Sequence, residues 1–163
     1  MLRHHSAAAL VPAVAMTLLL AAVAPPSSLP AQALPDSAVH AAIAEWVAMW
    51  NRYDLTAVDS LFLADDRVTY FSSEREGLIS GIAAVRRHHE SFGFVPGGKT
   101  IATRLWVDDV RIVPLGATIV VGGVWYFDRG EVGRPAQRGP VTIVYLREAR
   151  RLRIAHMHFG NYP

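Results

Sequence analysis

The sequence predicts an α+β fold in which three N-terminal helices pack on one face of a curved antiparallel sheet. Two observations predict it. Between Val39 and Phe92, three stretches carry apolar residues at three- and four-residue steps, the period of an amphipathic helix. From Thr100 to Phe159 the chain changes to long runs rich in β-branched and aromatic residues, separated by short polar turns, which is the pattern of antiparallel hairpins. Helices that precede a set of hairpins give helices segregated to one face of a sheet.

The first helix is expected over Leu34 to Tyr53, with Asp36 as N-cap after Pro35. Its apolar face is Val39, Ile43, Trp46, Val47 and Trp50. Asp54 caps a short second helix with the stripe Leu55, Val58, Leu61 and Phe62, ended by Ala64-Asp65-Asp66. Val68 to Ser72 reads as a strand and Glu74 to Gly77 as a polar turn. Ser80 is expected to cap a third helix whose inner face is Ile82, Val85, His89 and Phe92, stopped by Pro96-Gly97-Gly98. Four strands follow: Thr100 to Val113, Ala117 to Asp128, Gly139 to Arg147 and Leu152 to Phe159. Gly122-Gly123 marks a bulge or bend in the second of these.

Residues 1–33 stand apart from this domain. A basic start (Arg3, His4, His5), an uncharged apolar run from Ala7 to Ala24 and a small-x-small site at Ala31-Gln32-Ala33 form the layout of a secretory signal peptide. Cleavage after Ala24 is the alternative. The run is near the lower length limit for a span and Pro12 interrupts it, so no stable membrane anchor is expected, and the location is periplasmic or secreted. The remaining 34–163 segment, about 130 residues, suits one domain with its own core. Cysteine is absent, which a core of this size tolerates outside the cell. Without Arg3, 15 basic side chains face 14 acidic ones, and no basic stripe appears, so no nucleic-acid partner is expected. Arg150-Arg151-x-Arg153 reads as a solvated hairpin end.

The motifs along the domain then suggest a family. WVAMWNRYDL (Trp46 to Leu55) and LFLADD (Leu61 to Asp66) resemble the opening of the nuclear transport factor 2 superfamily: an amphipathic helix, an N-x-x-D-L turn, and a second helix ending F-x-x-D. GIAAV (Gly81 to Val85) is similar to the G-x-x-A-I start of its third helix. LRIAHMHFG (Leu152 to Gly160) resembles the W-x-I-x-H-x-H-x-S close of the SnoaL-like, calcium/calmodulin-kinase-association-like branch. The resemblance spans Asp36 to Tyr162. It implies a cone: the sheet wraps around the helices, its open end leaves a pocket, and its outer face often makes a dimer, so a homodimer is expected. The superfamily holds isomerases, cyclases, dehydratases, hydrolases, small-acid binders and oligomerisation hubs, so the fold does not name the function.

His156 and His158 are two residues apart on a strand and share a face. If that face is concave, they enter the pocket as catalytic candidates, able to act as general base or acid or to donate to an anion. If it is convex, they face the dimer side. The ligand-binding candidates are Trp46, Trp50, Tyr70, His89, Trp125 and Tyr145, because small-molecule sites are mostly apolar with a few placed polar groups. Trp46 falls where the similar ketosteroid isomerases hold an oxyanion with a tyrosine. His88 and His89 join His156 and His158 in no metal-binding spacing, so no metal is expected.

Departures from the isomerases matter. Residues 68–73 (VTYFSS) and 139–146 (GPVTIVYL) hold no carboxylate where those enzymes carry their acids, which argues against a two-carboxylate isomerisation. Asp108 and Asp109 lie in a strand, and alternation turns only one inward. No nucleophile elbow, phosphate loop or cysteine nucleophile occurs, and no cofactor is expected. Three readings follow: a small-molecule binder with an aromatic and histidine-containing pocket, an enzyme using histidine-assisted proton transfer on a small carbonyl compound, or an oligomerisation module with a vestigial pocket.

Overall fold

Helix α1 (Asp36–Arg52) buries Val39, Ile43, Trp46, Met49 and Trp50 as one stripe. The computed structural model describes residues 35–149 and 151–163, so the leader expected over residues 1–33 lies outside the described residues. Pro35, not Asp36, holds the N-cap position, with extended φ and ψ of −64° and 145°. Asp36 instead sits in the first turn, where its charge meets the positive end of the helix dipole. Tyr53 stops the helix in the left-handed region (φ 51°), its N–H closing on the carbonyls of Met49 and Trp50. The next helix, α2 (Leu55–Leu61), is capped as expected: Asp54 accepts from the N–H groups of Thr56 and Ala57.

Strands β1 (Thr69–Ser72) and β2 (Arg75–Ser80) form a hairpin before α3 (Ile82–Ser91). The polar run after Glu74 is thus a strand, and Ser80 ends it instead of capping α3. Gly81 occupies that cap position at φ 82°, a conformation open to glycine, and makes no side-chain cap bond. Strand β2 escapes a period-two reading because it is a sheet edge and only Ile79 is buried in it.

The long strands are β3 (Arg104–Leu115), β4 (Thr118–Asp128), β5 (Gln137–Glu148) and β6 (Arg151–Phe159). The sheet order is β2-β1-β6-β5-β4-β3, curved but not closed. It is mixed, not wholly antiparallel: β6 enters between β5 and β1 and runs parallel to β1. The expected irregularity at Gly122-Gly123 lies across from them, in β3 between Asp108 and Arg111, where Asp109 takes φ 54°. A Cβ on Gly123 would stand 2.9 Å from Val107 Cγ1 and 3.1 Å from the Asp108 carbonyl oxygen, so the glycine makes room for its neighbour's bulge. Asn51 ties this edge to α1: its side-chain amide donates to the Leu105 carbonyl (2.9 Å) and its oxygen accepts from the Leu105 N–H (2.6 Å). The core between helices and sheet holds Trp46, Met49, Val58, Phe62, Ile143, Ile154 and Met157, all essentially inaccessible to solvent. Among the described residues no helix is long and apolar enough to cross a membrane.

Candidate functional site

A cleft opens between α1, the end of α3 and the inner face of the sheet. Trp50 and Tyr53 come from α1 and its cap, Phe92 from the end of α3, and Tyr70 from β1. Strands β3, β4 and β6 add Leu105, Trp125, Phe127 and Phe159. These side chains meet each other as rings: Trp50 lies 5.7 Å from Phe92, 6.3 Å from Phe127 and 6.3 Å from Phe159, edge to face. The cleft measures about 60 Å³. That exceeds the ~10–15 Å³ one water needs and falls short of the ~300–1,000 Å³ of drug-sized sites.

Its mouth is polar. Ser72 ends β1, Ser73 and Glu74 form the β1–β2 turn, Arg129 follows β4 and Gln137 begins β5. Gln137 binds these segments together: its amide donates to Glu74 (2.8 Å) and Asn161 (3.0 Å), and its oxygen accepts from Arg129 (3.0 Å). Arg129 also stands 3.8 Å from the Glu74 carboxylate and covers the Phe127 ring. The C-terminal tail closes one wall, where the Gly160 carbonyl accepts from Trp125 Nε1 at 2.8 Å.

One polar atom on the aromatic wall is buried and unspent. Trp50 Nε1 is buried with no hydrogen-bond partner. The Tyr70 side chain lines the same wall, and burial pushes its pKa far up, so it stays a neutral phenol. Both are donors. Leaving a buried donor unpaired costs about 1–3 kcal/mol.

The six expected ligand residues therefore separate. Trp50, Tyr70 and Trp125 line the cleft. Trp46, His89 and Tyr145 do not; they lie in the core behind it. His89 forms a second layer, its ring 5.5 Å from Trp50 and 5.6 Å from Tyr70. Its Nδ1 bonds the Val85 carbonyl at 2.8 Å, and as a carbonyl only accepts, Nδ1 carries the proton.

The catalytic pair is placed elsewhere. Tyr145 pairs with Ile154 but Val144 pairs with His156, which leaves Ala155 as a bulge in β6. The bulge reverses the strand's phase, since each added residue moves all later side chains to the other face. Ile154, Met157 and Phe159 point inward, while His156 and His158 lie on the outer face. There His156 Nδ1 meets Thr69 Oγ1 at 2.8 Å, and both rings pack edge-on against the half-exposed Phe71. Neither histidine lines the cleft, so the condition for their catalytic role there is not met. Asp108 and Asp109 are exposed and outside it too. Among the described residues no three His, Asp or Glu side chains gather as a metal site.

Several wall residues escape a sequence reading. Phe159 is hidden by the bulge, and Ser72, Ser73, Glu74, Arg129 and Gln137 sit in turns and strand ends that carry no periodic signal. Phe127 and Leu105 carry one, as inward positions of their strands.

A family model for the SnoaL-like domain matches residues 39–161. The chain belongs to the SnoaL-like domain family. Solved structures of this fold are similar to it. One is a proposed dehydratase of the NTF2-like family from Streptomyces avermitilis, at 17% identity, covering 78% of this chain and 95% of that one, with a TM-score of 0.66. Another is a proposed calcium/calmodulin-dependent protein kinase type II association domain from Thiobacillus denitrificans, at 24% identity, 76% and 94% coverage and a TM-score of 0.64. A third is an NTF2-like superfamily protein from Salmonella enterica, at 19% identity, 77% and 89% coverage and a TM-score of 0.62. No functionally curated protein matches the chain in sequence.

Proposed function

We propose that this is an exported protein that binds a small, largely apolar molecule in the aromatic cleft. The observation that carries the reading is the buried, unspent donor Trp50 Nε1, set in a wall of rings. A ligand with a carbonyl or ether oxygen satisfies it while its apolar part meets the aromatic surface. Binding needs no more than this. Histidine-assisted catalysis needs a titrating group at the ligand, and the cleft wall contains no histidine. Export rests on the sequence of residues 1–33.

The proposal includes a homodimer through the outer face of the sheet. That face exposes Phe71 (39%), Leu78 (53%), Val113 (49%) and Leu115 (60%). Phe71 and Leu78 are one exposed apolar pair across β1 and β2, and Val113 and Leu115 another on β3; contiguous exposed apolar patches mark association surfaces.

A screen of small aromatic ketones and ethers by NMR tests the cleft. Hits are expected to shift the indole N–H signals of Trp50 and Trp125 together. Shifts gathered on the outer face, with both indoles unmoved, would overturn the assignment.

A further inference from the structure

A second feature adjoins the cleft. Arg87, His88 and Ser91 of α3 and Glu74 and Arg75 of the β1–β2 hairpin line a surface groove of about 520 Å³. The groove and the cleft share Glu74 and Phe92 as wall, so they are neighbours along one surface. The groove lining carries two arginines, Arg75 and Arg87, against one carboxylate, Glu74. Arg86, beside it, pairs with Asp59 and Glu90. Arg75 and Arg87 are exposed and take no carboxylate partner among the described residues.

His88 lies in the same wall at 5% exposure, and its Nε2 has no hydrogen-bond partner. Burial lowers its pKa, and the charge of Arg75 lowers it further, so the Arg75 guanidinium acts on the groove. Glu74 is the opposing charge. It is held by Gln137 at 2.8 Å and Arg129 at 3.8 Å, on the side of the cleft mouth. Glu74 walls the groove as well as the mouth, but in the groove it stands against both Arg75 and Arg87.

We propose that the groove is an oxyanion subsite of the cleft, so that the ligand is a small aromatic or apolar molecule ending in a carboxylate, sulfate or phosphate. Two guanidinium groups fit such an end because each presents a planar fork of donors matched to paired oxygens. The inference rests on the cleft reading and adds the chemical class of the ligand to it.

The test compares 3-phenylpropanoate with 3-phenylpropanamide, which has the same shape and no charge. Each is titrated into the full chain by calorimetry, and the Trp50 and Trp125 indole signals are followed by NMR. The acid is expected to bind about ten-fold more tightly than the amide or better. Its advantage should shrink with added salt and disappear in the double variant Arg75→Ala/Arg87→Ala, in which acid and amide should bind alike. Both side chains are exposed, so the fold is expected to survive. Equal affinities for acid and amide would overturn the subsite and leave the cleft standing, as would an acid preference that persists in the double variant. If neither compound moves the two indoles, the cleft reading falls and the subsite with it.

Discussion

His89 is the residue at which burial has the clearest consequence. It is wholly inaccessible, and burial lowers its pKa to about 4 against an ordinary value near 6.5. The unfolded chain therefore takes up the proton first as pH falls. Stability from the neutral imidazole is complete above pH ~6.5 and is lost progressively down to pH ~4, by about 3 kcal/mol. His88, also lowered by burial, acts in the same direction. Urea unfolding at pH 7 and pH 4 should show this loss, and His89→Gln should flatten the profile. A wild-type profile flat across that window would contradict a neutral, buried His89. The sequence placed His89 on the inner face of its helix, which is where it lies. Helical spacing carries no information on whether an inner side chain meets a cavity or only other side chains, and so Trp46, His89 and Tyr145 went with Trp50, Tyr70 and Trp125.

At the scale of elements, long periodic segments were legible and short or interrupted ones were not. The stripe of α1 and the runs of β4 and β5 appear where the spacing puts them. Strand β2 was missed because a polar edge strand and a polar turn have one composition. The face of β6 was undecidable because one bulged residue, Ala155, reverses it, and alternation counted from Ile154 would turn both histidines inward. Glycines hide a different kind of information. A Cβ on Gly139 would stand 2.0 Å from the Gly160 carbonyl oxygen, the same oxygen that accepts from Trp125 Nε1. Gly139→Ala must push the C-terminal tail away from β5 and strip Trp125 of its partner. The expected cost is about 1–3 kcal/mol in denaturant unfolding, with a changed Trp125 indole signal in the folded state. Full stability with an unmoved indole would show that the tail does not hold that wall.

For the whole molecule, the order of elements and the closing motifs are enough to reach the SnoaL-like fold, because they depend on chain order and spacing. The cleft is not legible in that way, because its mouth joins three loops distant in sequence, and only the folded sheet brings Glu74, Gln137 and Asn161 together. The same fold divides its surface into two roles. The inner face ends in a cleft of rings with an unspent donor, and the outer face exposes Phe71, Leu78, Val113 and Leu115 beside His156 and His158. Native mass spectrometry of the segment Leu34–Pro163, purified gently from its own host, reads both at once. The account predicts a dimer in which each subunit carries one small molecule, released together with its mass when the Trp50→Ala variant is purified in parallel without it. A protein that stays ligand-free when taken from its host, and equally so in the wild type and the variant, would contradict the central claim that the cleft is a binding site.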